Sequence, residues 1–163
     1  MRVVFDNLVE NDERRGQLID KLLEGIKNNQ HDFDIITLNY DETISKLSSD
    51  RIKKIFSLYD PDLYFGIKFN YYKELPLEHS ILLYSQKCYN LSDKIIMQLQ
   101  KYIPEQKHYN LTKRDYATSK TNIHKKNTII FMPGFTNNEA YLDKLENSDY
   151  LNRLAEAIIK GLS

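Results

Sequence analysis

Short apolar runs separated by longer stretches of helical period constrain this chain more than any other feature. The runs fall at residues 2–6, 34–38, 63–69, 80–84 and 128–132. Between the first two, Leu18, Leu22 and Ile26 recur at four-residue spacing beside Ile19 and Leu23, which predicts a helix from about residue 11 with Asn11 or Asp12 as its cap. A second helix is expected over 41–58, its buried face built from Ile44, Leu47, Ile52, Ile55 and Phe56, and Pro61 stops it. A third is expected over 92–102, ahead of Pro104, and two helical segments close the chain. The last carries Leu151, Leu154, Ala155, Ile158, Ile159 and Leu162 on one face. Residues 108–126 show no period and read as a long loop.

Strands alternating with helices of this length need crossover connections rather than hairpins. The expected class is therefore α/β: a mostly parallel twisted sheet of about five or six strands, with helices on both faces. No internal repeat or linker rich in Gly, Pro and Ser divides the sequence, so residues 1–163 read as one domain. Ligands of such sheets bind beyond the C-terminal ends of the strands. That rule places Asp6, Lys68, Asn70 and the segment 132–134 at the site region before any other argument.

Bulk electrostatics exclude several partners. The 23 basic and 23 acidic side chains cancel, so neither nucleic acid nor a membrane surface is an expected partner. The first apolar run is too short for a signal peptide core and no later one approaches a membrane span, so the chain as written reads as cytoplasmic; a leader removed from it would place it outside the cell or at the wall. Cys88 is the single cysteine and its neighbours Lys87 and Tyr89 supply no recognisable nucleophile motif, so a structural thiol is expected.

The C-terminal forty residues carry a more specific signal. Ile129-Ile130-Phe131-Met132-Pro133-Gly134-Phe135 precedes Asn137-Asn138-Glu139, then Leu142 and Leu145, then Tyr150, Leu154, Ala155, Ala157 and Ile158. Upstream stand Asp62-Leu63-Tyr64-Phe65-Gly66-Ile67-Lys68-Phe69-Asn70, Arg51, Val3-Val4-Phe5-Asp6 and the helical pattern opened by Glu13. In this order the segments resemble the zinc-dependent N-acetylmuramoyl-L-alanine amidases of bacterial cell-wall turnover. That family has an apolar strand ending in Glu-x-Gly-Phe, a final Tyr-x-x-x-Leu-Ala-x-Ala-Ile helix, and a third strand reading Asp-Leu-x-x-Ser-Ile-His-x-Asn. The resemblance implies an amidase-like fold over the whole chain.

It also implies a metal site that this sequence departs from. The family holds zinc with a histidine in a Gly-His-Gly-Gly loop after the first strand, a glutamate opening the first helix and the third-strand histidine, while a glutamate ending the last core strand acts in catalysis. Here the loop between Asp6 and Glu13 is short and holds no His or Gly, Lys68 stands at the histidine and Met132 at the catalytic glutamate. Only Glu13 remains as a ligand of the kind zinc hydrolysis needs. No metal and no other cofactor is therefore expected.

Two readings of Lys68 stay open: its ammonium pairs with Glu13 in the space of the lost metal, or it extends into solvent. The histidines, His31, His79, His108 and His124, lack metal-type spacing, although His108 and His124 flank the long loop near His79. Tyr64, Phe69, Tyr71 and Tyr72 either stack on a ligand or pack a groove that has lost its loop. Lys113 and Arg114 either contact an anionic peptide or are solvated. Asp6, Asn70, Tyr71, His79 and Arg114 are the candidate ligand-binding residues, with Glu13, Lys68 and Met132 as the degenerate catalytic positions. The function implied is a non-catalytic amidase homologue that binds peptidoglycan fragments or a protein partner. The alternative is an active cell-wall amidase with a rearranged site.

Overall fold

In the computed structural model, the residues described are 1–41, 47–69, 79–112, 126–135 and 138–163. Strands β1 (Arg2–Asn7), β2 (Asp34–Leu38), β3 (Leu63–Ile67), β4 (His79–Tyr84), β5 (Lys107–Thr112) and β6 (Thr128–Met132) form one six-stranded sheet in the order β2-β1-β3-β6-β4-β5. β1 runs parallel to β2 and β3, and β3 parallel to β6. β4 is antiparallel to β6 and parallel to β5. The sheet is mostly parallel, as the sequence pattern predicts, and β4 begins at the edge where β1, β3 and β6 end.

The helices are α1 (Glu13–Asn28), α2 (Ser49–Tyr59), α3 (Tyr89–Tyr102), α4 (Glu139–Glu146) and α5 (Ser148–Leu162). They divide unequally between the faces. Val3, Phe5, Phe65, Ile67, Ile129 and Phe131 point to a large core shared with α1, α3, α4 and α5. The alternate residues Val4, Tyr64, Ile130 and Met132 point the other way and meet Ile52 and Ile55 of α2. Period-2 alternation in strands buried on both faces produces the two cores. Within the larger one α3 and α5 cross closely. A Cβ on Gly161 would lie 2.5 Å from the Ile95 Cα, so this crossing requires glycine.

Local chemistry sets the helix ends. Asp12 caps α1 by accepting from the Arg15 N–H at 2.9 Å, and Ser48 caps α2 by accepting from the Arg51 N–H at 3.1 Å. Asp60 closes α2 in the left-handed region at φ 44°, its N–H donating to the Phe56 carbonyl, and Pro61 prevents continuation.

Two sequence expectations require correction. The helix expected over 41–58 begins at Ser49, because Ser48 uses its hydroxyl as a cap and Leu47 lies outside the helix; residues 42–46 are outside the described residues. The loop expected over 108–126 opens with β5, an edge strand paired only with β4. An edge strand needs one apolar face at most, so Lys-His-Tyr-Asn-Leu-Thr carries no apolar run to reveal it.

Candidate functional site

At the end of β1 two consecutive buried polar residues reach opposite faces of the sheet. Asp6 turns toward α2, where Arg51 donates Nε to its Oδ2 at 2.7 Å and its second guanidinium arm to Oδ1 at 2.6 Å. The Tyr64 hydroxyl donates to the same Oδ2 at 2.7 Å. Asp6 and Tyr64 are both 0% exposed. Burial drives the Tyr64 phenol well above its ordinary range, so it remains a donor to Asp6. Asn7 turns toward α1, donating Nδ2 to the Gly16 carbonyl and to Asp20, each at 2.8 Å, and accepting from the Val9 N–H at 3.1 Å. The chain leaving β1 is thus anchored to both layers. Asp6, expected as a ligand-binding residue, is instead sealed in this network and out of reach of a ligand.

The short loop after Asn7 folds back onto the sheet end. The Leu8 N–H donates to the Ile67 carbonyl at 2.8 Å, and the Lys68 N–H donates to the Phe131 carbonyl at 3.0 Å. The exits of β1, β3 and β6 are therefore stitched side by side. Leu8 is only 2% exposed and covers Gly66, where an added Cβ would meet Leu8 Cδ1 at 2.5 Å and Ile130 Cδ1 at 2.9 Å. Glycine at this position is what lets the loop descend so far.

Above Leu8 a cavity of about 380 Å³ opens, lined by Val9, Glu10, Asn11, Asp12, Arg15, Lys68 and Phe69 among others. Asn11 sits in the left-handed region at φ 51°, a conformation that asparagine tolerates. Lys68 is half-buried, and burial draws its ammonium below the usual lysine range while the nearby Glu10 charge pushes it back up. Burial would raise Asp12, but its bonds to the backbone and guanidinium of Arg15 hold the carboxyl below its usual range. Arg15 also reaches Glu139 at the start of α4, 3.4 Å away.

The other expected residues separate. The Lys68–Glu13 pair does not form: Glu13 accepts from Gln17 at 3.0 Å on the exposed side of α1, and the acid beside Lys68 is Glu10. Helix register turns Glu13 outward once Asp12 becomes the cap. Met132 is 1% exposed and packs in the α2-side core. His79 stands at the correct sheet edge but beyond β6, against the Tyr109 ring at 5.1 Å. Tyr64 and Phe69 are core residues. Asn70, Tyr71, Tyr72, Lys113, Arg114 and His124 lie outside the described residues. His108 is buried, taking the Ser80 hydroxyl on Nδ1 at 2.6 Å and donating from Nε2 to the Ile103 carbonyl at 2.9 Å. Cys88 is buried, and burial raises its thiol, as suits a structural residue.

Leu8, Glu10 and Arg15 line or floor the cavity without having been singled out in the sequence. Their signal was present only as a short acidic loop running into a basic helical turn, which does not specify where side chains point. A second, larger cavity of about 950 Å³ lies between the end of β2 and α2, lined by Thr37, Tyr40, Asp50, Arg51, Lys54 and Leu58 among others.

No protein-family profile matches this chain, and no curated protein sequence does. Solved structures do. The chain is similar to the N-acetylmuramoyl-L-alanine amidase AmiC2 of Nostoc punctiforme, with a TM-score of 0.72 at 14% identity, over 99% of this chain and 94% of that one. It is similar to the N-acetylmuramoyl-L-alanine amidase from Clostridium difficile 630, with a TM-score of 0.70 at 15% identity and the same coverage, 99% and 94%. It is also similar to the CwlD amidase from Clostridioides difficile, solved in complex with the GerS lipoprotein, with a TM-score of 0.64 at 17% identity over 99% and 96% of the two chains. The amidase fold expected from the sequence is the fold of this chain.

Zinc is the cofactor that this fold implies, and the described residues do not fit it. Among them no group of three or more His, Cys, Asp or Glu converges. The cavity is lined by two carboxylates, Glu10 and Asp12, and by the cations Lys68 and Arg15, with Leu8 beneath it, and Asp12 is bound to Arg15. A half-buried ammonium repels a divalent cation, and zinc needs neutral nitrogen, thiolate or carboxylate donors in a tetrahedral set.

Proposed function

We propose that this chain is a non-catalytic member of the amidase fold, a single unit over residues 1–163 that binds where its fold relatives carry out metal-assisted hydrolysis. The observation that carries the proposal is Leu8 lying over Gly66 with Lys68 beside it. An apolar side chain and a cation occupy the end of β3, where activation of water by a metal would require donors and an open coordination position. Met132, buried at the end of β6, supplies no base there.

The partner is a peptidoglycan fragment or a protein. The fold relative solved with the GerS lipoprotein supports the protein partner, and the polar cavity at the sheet edge supports the fragment. A nucleic acid is not a partner in this reading, because the net charge of zero gives no attraction to phosphate. No helix among the described residues is long and apolar enough to cross a membrane.

The test is a hydrolysis assay on purified muropeptides with added zinc. The expected result is no release of peptide from the sugar. Amide cleavage at a rate comparable to an active amidase run in parallel would overturn the proposal.

A further inference from the structure

We propose that the cavity between the β1 exit and α1 is a binding site for a small zwitterion, an amino acid or short peptide, whose carboxylate is taken by Lys68. The inference rests on the non-catalytic reading of the same site and names the ligand class. Its first support is the state of Lys68. The side chain is half-buried in the cavity wall, yet among the described residues its ammonium makes no hydrogen bond or ion pair; its one electrostatic partner is the Glu10 charge. A half-buried lysine whose ammonium has no bonded acceptor among the described residues keeps its charge available to an incoming carboxylate at the cavity wall.

The second support is the balance of charge. Lys68, Arg15, Glu10 and Asp12 all line the cavity of about 380 Å³. Asp12 is committed to Arg15 and to the α1 cap. That leaves Lys68 and Glu10 as the charges a ligand meets. The pair repels a dianion through Glu10 and a simple cation through Lys68. A ligand with a carboxylate for Lys68 and an ammonium for Glu10 satisfies both, so the cavity selects against phosphate. The volume is at the small end of ligand sites, which suits a molecule of one or two residues.

Alanylalanine, alanylalanine C-terminal amide and inorganic phosphate, each titrated into the full-length protein at pH 7 with amide NMR detection, test the assignment. Alanylalanine is expected to shift the Leu8–Asp12 and Lys68–Phe69 signals saturably, with a dissociation constant on the order of 1 mM. The amide, which lacks the carboxylate, is expected to bind at least about tenfold more weakly, as is alanylalanine with Lys68→Met. Equal binding of the dipeptide and its amide would overturn the proposal without reference to any variant. So would phosphate binding as tightly as the dipeptide, or no saturable shift with the dipeptide. Muropeptide turnover measured on the same sample reports separately on the non-catalytic reading, so the failure of one is not mistaken for failure of the other.

Discussion

Arg51 on α2 and Asp6 at the end of β1 form a two-armed ion pair across the sheet–helix boundary, with contacts of 2.7 and 2.6 Å to a carboxylate that is 0% exposed. The guanidinium fork matches the carboxylate geometry, and the pair fixes where α2 sits on the sheet. Removing Arg51 leaves the Asp6 charge buried with, among the described residues, only the Tyr64 hydroxyl in support. Arg51→Ala is expected to cost about 3–5 kcal/mol in urea unfolding. Asp6→Asn with Arg51→Met, which removes both charges, is expected to recover most of that loss. A cost below about 1 kcal/mol for Arg51→Ala would show that the pair is solvent-screened.

Asn7 ties the same strand to the opposite layer. Its amide serves Gly16 and Asp20 and its carbonyl holds the Val9 N–H, so one side chain satisfies three buried or partly buried groups. Asn7→Ala is expected to destabilise by about 2–3 kcal/mol, because the partners lose bonds where water cannot replace them. Hydrogen exchange should speed up at Val9 and in the first turns of α1. Unchanged exchange there would mean that α1 is held by its apolar face alone.

The contact between Leu8 and Gly66 makes a coupling prediction. Gly66→Ala forces its methyl against Leu8 Cδ1 and is expected to cost about 1–3 kcal/mol. Leu8→Ala leaves a cavity and is expected to cost about 2–4 kcal/mol. Together they should cost at least about 1 kcal/mol less than the sum of the two, since one change makes room for the other. Additive costs would show that Leu8 does not rest on Gly66.

His108 gives stability a pH dependence. Burial lowers its folded pKa below the ordinary 6.5, outweighing the Ile103 carbonyl and Glu105, which raise it. A depressed folded value means that the unfolded chain binds more protons. The contribution is present above about pH 6.5 and is lost as pH falls toward the folded value, at up to about 1.4 kcal/mol per pH unit. Protonation also removes the Nδ1 lone pair that accepts from Ser80. Unfolding measured between about pH 5 and 7.5 should show this slope in the wild type and a shallower one in His108→Gln. Identical slopes would remove His108 as the source.

The pattern of apolar runs made the strands of the central sheet legible before any coordinates. Residues 128–132 coincide with β6, a central strand buried at every position and therefore apolar along most of its length. Residues 34–38 coincide with β2, an edge strand that keeps the apolar residues Ile35, Ile36 and Leu38. β5 was illegible for the opposite reason, since a polar edge strand has no period to read. Met132 ends β6 and Lys68 directly follows β3, while the acid beside Lys68 is Glu10 rather than the expected Glu13. Whether Glu13 or Glu10 faces it depends on which residue caps α1 and on how far the preceding loop descends. Both are set by tertiary contacts, Asp12 with Arg15 and Leu8 with Gly66, that sequence spacing does not encode. The strand-end rule points to Asp6 as a site residue; the network that withdraws it is completed by Arg51, distant in sequence.

At the end of β3 the cation Lys68 and the apolar Leu8 stand in place of a metal site in the function proposed. Metal analysis of the purified protein, equilibrated with excess zinc and then freed of unbound metal, tests it most directly. Far less than one zinc per chain is expected, with Lys68→His raising retention little while Leu8 and the short loop remain. One tightly held zinc per wild-type chain would contradict it.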